Sequence, residues 1–356
     1  TQCHPKGDYD RILHALGAAN NASTWLDRTN YYVLAGSDRY ETALELETDR
    51  MRGALLSAGD LEDERRVVLN ELDRNADDPG AALADRTVAL SFLEHPYRRP
   101  VIGWRQDVES ITRAYLQSYY DRYYQPNNAF LVAVGRFQSA EMIEAIERQF
   151  GSIPPGDPPK QLSVIEPPQR GERRFELRKA GQQELMVVAY HAPQRADRDA
   201  LAMDVLAQIL GHGRTSRLYK SLVDSQLAVH ASAENQSMPM DPFLFMLDIE
   251  LAHGVEMSRV EEAIDQEIAR LTREPVSLQE MQRARKCARV GFIMRSDSVS
   301  ALAFLIGEFE VSTGWKPLQS YLDRLEAVSA EDVMEVAQRY LVREARTVGH
   351  FRPVKD

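Results

Sequence analysis

Residues 61–75 read L-E-D-E-R-R-V-V-L-N-E-L-D-R-N, with no Gly or Pro and with apolar residues at helical spacing. Val67, Val68 and Leu72 fall on one side of the helix this predicts. Glu64 and Glu71, two turns apart, point to that same side. The same period predicts helices over 9–16, 40–56, 81–92, 113–124, 199–210, 217–223, 260–271, 278–295 (continuing toward Glu310) and 330–341. Runs rich in Thr, Tyr, Trp, Val and Ile predict strands at 20–26 and 29–34, on either side of Asp27-Arg28. Further strands are predicted at 129–134, 175–178, 185–191, 229–233, 243–251 and near 347–351.

Six prolines between 153 and 168 suit neither a helix nor a central strand, so this stretch reads as a semi-rigid linker between residues 1–152 and 169–356. The two sides also resemble each other. Residues 108–124 align without a gap on 325–341, the helix cap Thr112 falls on Ser329, and both segments lead into a run holding Val-Gly. An internal duplication accounts for this best. Strands and helices neither alternate strictly nor separate into an all-helical chain. The expected fold class is therefore α+β: two homologous halves, each an antiparallel-rich sheet packed by helices.

A length of 356 residues, 44% hydrophobic and 27% charged, is that of a folded globular chain. The net charge of -11 argues against a general binder of nucleic acid or anionic membrane. No apolar run reaches the ~18 residues of a membrane span. Cys3 and Cys287 stand far apart, outside any C-x-x-C, and give neither a disulfide framework nor a zinc cluster. There is no G-x-S-x-G, no G-x-x-x-x-G-K-[ST] and no G-x-G-x-x-G after a strand, so a serine-nucleophile or nucleotide-binding site is not indicated. Gly211-His212-Gly213 reads as a helix end and turn.

The eight histidines form no H-E-x-x-H and no H-x-x-E-H. Ser91-Phe92-Leu93-Glu94-His95 approaches the second motif, but Ser stands for its first His and Pro96 ends any helix there. His95, His191, His212 and His230 are each alone in their segments, and ordinary structural roles are expected for them. Glu64 and Glu71 admit two readings. They belong to a solvated face with local pairs such as Glu62–Arg66 and Glu71–Arg74, or they serve a metal, since a carboxylate in an apolar stripe requires a partner.

Five phrases bear on that choice: T-Q-C-H-P-K-G-D at 1–8, N-A-S-T-W-L-D-R-T-N-Y-Y at 21–32, E-R-R-V-V-L-N-E at 64–71, H-P-Y-R-R-P-V-I-G-W at 95–104, and Y-Y-Q-P-N-N-A-F-L-V-A-V-G at 123–135. In this order they resemble the N-terminal domain of the pitrilysin–insulinase family of zinc peptidases, from just beyond its metal motif onward. L-G-H-G-R-T-S-R-L-Y at 210–219 resembles the family's C-terminal domain more loosely. The nearest types in size are the short bacterial members and the subunits of mitochondrial processing peptidase.

The resemblance implies a clamshell of two halves of the LuxS and processing-peptidase kind, closing on unfolded peptide. It also implies a homo- or heterodimer with a related subunit, no nucleic-acid partner, and a lean toward a periplasmic or secreted location. Glu71 matches the family's third zinc ligand and Glu64 a supporting Glu. Asn21, Ala22, Ser23 and Thr24 match the edge strand to which substrate adds. Leu222 and Val229 stand where the family's C-terminal domain often places an Arg and a Tyr for the substrate backbone, and Arg217 matches a position expected to be structural. The family's H-x-x-E-H would begin about nine residues ahead of Thr1. Zinc is thus expected only where those His ligands are supplied, and the 356-residue chain itself is expected to be an inactive form of a zinc endopeptidase subunit. The other class of function left open is a non-catalytic peptide-binding or scaffold homologue that partners an active subunit.

Overall fold

The computed structural model describes residues 1–160 and 163–354. Gln161 and Leu162, inside the Pro-rich stretch expected as a linker at 153–168, lie outside the described residues. In chain order the elements are α1 (Asp8–Ala15), β1 (Ala19–Thr24), β2 (Thr29–Leu34), α2 (Tyr40–Gly53), α3 (Ala58–Asp77), α4 (Pro79–Ser91), α5 (Arg105–Ser110), α6 (Arg113–Tyr123), α7 (Ser139–Phe150), β3 (Arg173–Ala180) and β4 (Leu185–Ala192). They continue with α8 (Ala200–Gly211), β5 (Ala228–Asn235), β6 (Phe243–Leu251), α9 (Met257–Arg273), α10 (Leu278–Arg295), α11 (Val299–Thr313), α12 (Tyr321–Ala327), α13 (Ala330–Tyr340) and β7 (Arg346–Val354). The class is α+β. None of the described helices is by itself long and apolar enough to cross a membrane.

Two compact units divide the chain: Thr1–Leu72, Val101–Ser163 and Ser298–Phe304 form one; Asp73–Pro100, Val164–Asp297 and Leu305–Asp356 form the other. The second is built on a five-stranded sheet in the order β3-β7-β4-β6-β5, parallel only between β3 and β7. Alternation sends Phe245, Leu247, Ile249 and Leu251 of β6 to one face, where they join Met186 and Val188 of β4 and the buried sides of α8, α9 and α13. Against the other face, α4 packs on β7 and β4. Asp78 starts α4 by accepting the Ala81 N–H.

Helix α8 is apolar nearly all round, hence central. Its one acid, Asp204, accepts from Asn235 Nδ2 at 2.7 Å, and burial pushes its carboxyl up to about 6. At its end, Gly211 meets β5 so closely that a Cβ would stand 2.0 Å from the Ala233 nitrogen. Glycine is needed here for that approach, whereas Gly213, at φ 77°, is the residue that makes the turn. Gly211→Ala should lower the melting temperature by at least about 5 °C in a thermal scan, because the obstacle is backbone and cannot rotate away.

Among the described residues the first unit has small clusters, Leu13, Ala18 and Leu46 in one, and Leu44, Met142 and Ala145 in another. Among the described residues its sheet is the β1–β2 hairpin. Residues 129–134, expected as a strand, have no ladder partner among the described residues, and Phe130 and Leu131 are exposed. A strand is defined by its neighbour, which the local sequence does not carry. The aligned helices α6 and α13 do agree. Each is capped as expected, Thr112 accepting from the Tyr115 N–H and Ser329 from the Asp332 N–H, and each leads through a short 3-10 turn into extended chain. Helices α5 and α7 are not among the expected elements: α5 has only 6 residues, whereas α7 carries a helical apolar period through Met142, Ala145 and Ile146 that could have revealed it.

Candidate functional site

Helix α3 runs longer than expected and buries none of its residues; Val67 is half exposed. Its charges pair at i,i+3, Glu62 with Arg65 and Asp63 with Arg66, rather than as Glu62–Arg66. Arg65 also donates to the carbonyls of Val108, Glu109 and Ile111, tying α3 to the end of α5. Glu64 and Glu71 are both exposed. Two helical turns set their Cα atoms ~10 Å apart.

Among the described residues no three His, Cys, Asp or Glu gather closely enough to hold a metal. The donors present therefore do not fit a catalytic zinc, which takes three protein ligands. This chain offers a single carboxylate at the Glu71 position. His4, the histidine of the first matched phrase, is paired instead with Asp49 of α2 at 2.8 Å.

The second candidate is β1. Its register with β2 runs from Ala19↔Leu34 to Thr24↔Thr29, and the Trp25 N–H donates to the Arg28 carbonyl at 2.9 Å. That bond sets the phase of the ladder. Asn21 and Ser23 bond across to β2, while the N–H and C=O groups of Asn20, Ala22 and Thr24 turn to the outer edge. No third strand pairs with β1 among the described residues. Asn21, Ala22, Ser23 and Thr24 are all exposed. The outward N–H of Ala22 donates to Asn21 Oδ1 at 2.8 Å, a local substitute for a missing neighbour. Across the hairpin, Asn30 Nδ2 donates to Ser23 Oγ, and the hydroxyls of Thr24 and Thr29 meet at 3.3 Å.

In the second unit, Leu222 is fully buried and Val229, on β5, is half exposed. Arg217 forms a two-pronged pair with Glu280, the residue that completes the capping box of α10, and so ties the segment before 219 to that helix. These bonds hold the Glu280 carboxyl down at about 2 against the cost of its burial.

His95 is held by two hydrogen bonds. Its Nδ1 accepts the Tyr97 N–H at 3.2 Å, which leaves the proton on Nε2, 3.2 Å from Asp241. What sequence reading misses is a gathering in this unit. His95, Glu166, Gln169, His191 and Asp241 line one cavity of about 300 Å³. They come from four distant stretches of chain, and no local pattern connects them.

Comparison with known proteins defines the class and then the family. The solved structure of a protease from Helicobacter pylori matches with a TM-score of 0.92 at 26% identity, over 98% of this chain and 85% of that one. A structure from Pseudomonas fluorescens described as a peptidase M16 inactive domain has the same fold, with a TM-score of 0.87 at 16% identity, over 98% of this chain and 84% of that one. In sequence, the zinc protease PqqE of Helicobacter pylori is 26% identical over 352 residues, 98% of this chain and 79% of that protein. An uncharacterized zinc protease of Mycobacterium tuberculosis is 28% identical over 349 residues, 94% of this chain and 77% of its own length. The family model for insulinase (peptidase family M16) matches residues 1–104, and that for the peptidase M16 inactive domain matches residues 110–286. The chain belongs to the insulinase family, peptidase family M16.

Proposed function

We propose that this chain is the larger part of a zinc-dependent endopeptidase subunit that takes unfolded peptide as an added strand on the outer edge of β1. Glu71 is assigned as a zinc ligand and Glu64 as its support, with the two histidine ligands supplied from outside these 356 residues. On its own the chain is inactive in this reading. A homo- or heterodimer with a related subunit is the assembly in which it works. The observation that carries the proposal is the open edge at Asn20, Ala22 and Thr24, whose main-chain groups face outward at the spacing a peptide strand requires. The relatives' names as zinc proteases support the reaction class.

A second reading has its own support. The match over residues 110–286 is to a domain described as inactive. A non-catalytic homologue that binds peptide or scaffolds an active partner would use the same edge without metal.

Ala22→Pro tests the edge directly. Proline removes the outward N–H while leaving the ladder bonds of Asn21 and Ser23, and edge strands tolerate it in that orientation. Binding of a fluorescently labelled unfolded peptide should weaken about tenfold. An unchanged dissociation constant would show that peptide does not add here. Under both readings the purified chain should show no chelator-sensitive proteolysis.

A further inference from the structure

His191, on β4, sets its ring perpendicular to that of Phe92, with 5.1 Å between centroids. Phe92 follows the end of α4, is 1% exposed, and stacks on Phe243 at 5.7 Å. One nitrogen of the His191 ring is bonded to the Ser91 backbone. The other, Nε2, is sealed from solvent and has no partner. A neutral imidazole tolerates this, since Nε2 is then an acceptor that has lost only its hydration. A charged ring would carry a second N–H there with nothing to receive it, beside a buried aromatic side chain. Burial accordingly pulls the His191 pKa below its usual value.

Ser91 and Phe92 begin a segment, 91–97, that is fastened through its main chain. Glu166 accepts the N–H groups of Leu93, Glu94 and His95 at 2.6–2.9 Å. Against the cost of its burial, those bonds hold the Glu166 carboxyl below its ordinary value, so it stays ionised in mild acid. The Tyr97 hydroxyl accepts the Asp241 N–H at 3.1 Å. Of the charges around His191, Glu166 favours a proton on the ring and Arg173 opposes it. His95, Asp241, Arg339 and Tyr340 line the same cavity. Asp241 is bonded to His95, Tyr340 to Asp199, and Arg339 keeps one nitrogen on Asp199 while adding positive charge. Across the sheet, β6 places the apolar Leu244 opposite His191.

We propose that segment 91–97 is an acid-released clasp and that His191 is its proton sensor. Near neutral pH the uncharged ring packs against Phe92, and the Glu166 bonds hold. In mild acid His191 gains a proton at Nε2, and the new N–H requires water or the Glu166 carboxylate as its acceptor. Water reaches it when Phe92 lifts away; Glu166 reaches it by giving up the N–H groups of residues 93–95. Both routes free the same segment. The sign follows from linkage: a histidine harder to charge in the closed form than in the open one shifts the balance toward opening as pH falls through its ordinary value of 6.5. The clasp lies wholly within the second unit and does not depend on the peptidase reading.

The test is amide hydrogen exchange of the intact chain between about pH 7.5 and about pH 5. Protection of the Leu93, Glu94 and His95 amides, each taken relative to its intrinsic exchange rate, should fall at least about tenfold as the pH drops. Amides of β6 should keep theirs, which separates release of the clasp from unfolding of the unit. The midpoint of the fall should coincide with titration of the His191 ring, read from its 15N resonances. His191→Phe, with no proton to gain, should hold protection constant within about twofold over the same range. Protection that does not change with pH overturns the inference. So does a fall shared by β6, one that follows His95 in place of His191, or one that persists in His191→Phe. The resonances are read on the unmutated chain, so the test stands even where the variant folds poorly.

Discussion

Glu71→Gln, made in a polypeptide that carries H-x-x-E-H ahead of Thr1, should remove stoichiometric zinc and lower kcat/KM by more than about a hundredfold. The bound rests on what supporting groups contribute: loss of an orienting partner already costs ~10–100-fold in metal affinity or activity, and a ligand contributes more. Glu64→Gln, two turns away on the same exposed face of α3, should fall within that lower range and keep most of the metal. Metal analysis and peptide cleavage together separate the cases. If Glu71→Gln retains both zinc and activity, the ligand is another residue. If the unmutated polypeptide binds no zinc, the scaffold reading takes over, and Glu71 is a surface residue of α3.

Arg346→Met should destabilise the second unit by about 3–5 kcal/mol in urea titrations near neutral pH. Arg346 is 1% exposed at the start of β7. It donates to Glu172 at 2.7 Å and to Asp265 at 2.6 Å, and stands 3.5 Å from Glu261. These carboxylates come from the approach to β3 and from α9, so one guanidinium joins the sheet to the helix that covers it. Methionine would fill much of the volume and leave three acids with only the more exposed Arg174 and Arg343 nearby. The sign of the pH dependence follows from Glu172, whose bonds to Arg174 and Arg346 lower its pKa despite its burial. A depressed carboxyl contributes stability above its unfolded value of 4.5 and loses it as pH falls through the folded value. The stability gap between the unmutated protein and the Arg346→Met variant should therefore narrow as pH drops below about 4.5. A gap that persists unchanged in acid would mean that packing, not charge, sets the role of Arg346.

Elements whose information is local are legible along the chain. The bounds of β6 and the start of α10 can be read to the residue, because the apolar run F-L-F-M-L-D-I-E-L and the S-L-Q-E cap are written in consecutive positions. The break between α10 and α11, by contrast, falls inside a helix expected to continue toward Glu310. The caps Thr112 and Ser329, and the structural role of Arg217, are likewise recoverable from short patterns. The misses have a shared cause. Residues 129–134 carry strand composition but have no neighbour to pair with among the described residues. The i,i+4 pair expected between Glu62 and Arg66 gives way to i,i+3 pairs, with Arg65 drawn toward three carbonyls more than forty residues away. Arg346 gives no sequence signal: an arginine beginning a strand is ordinary until three acids converge on it.

The sequence by itself determined the α+β class, most of the elements, the family, and the facts that Glu64 and Glu71 share a helix face and that residues 21–24 form a strand. Each follows from a repeat of 2 or 3.6 residues or from consecutive matched residues. Only the tertiary structure decided which edge of β1 is open and that Ala22 points outward, because ladder phase depends on the partner strand. It alone also decided that no three metal donors meet among the described residues, and that His95, Glu166, His191 and Asp241 line one cavity. Those outcomes depend on distances between residues far apart in the chain, which no periodicity along it encodes.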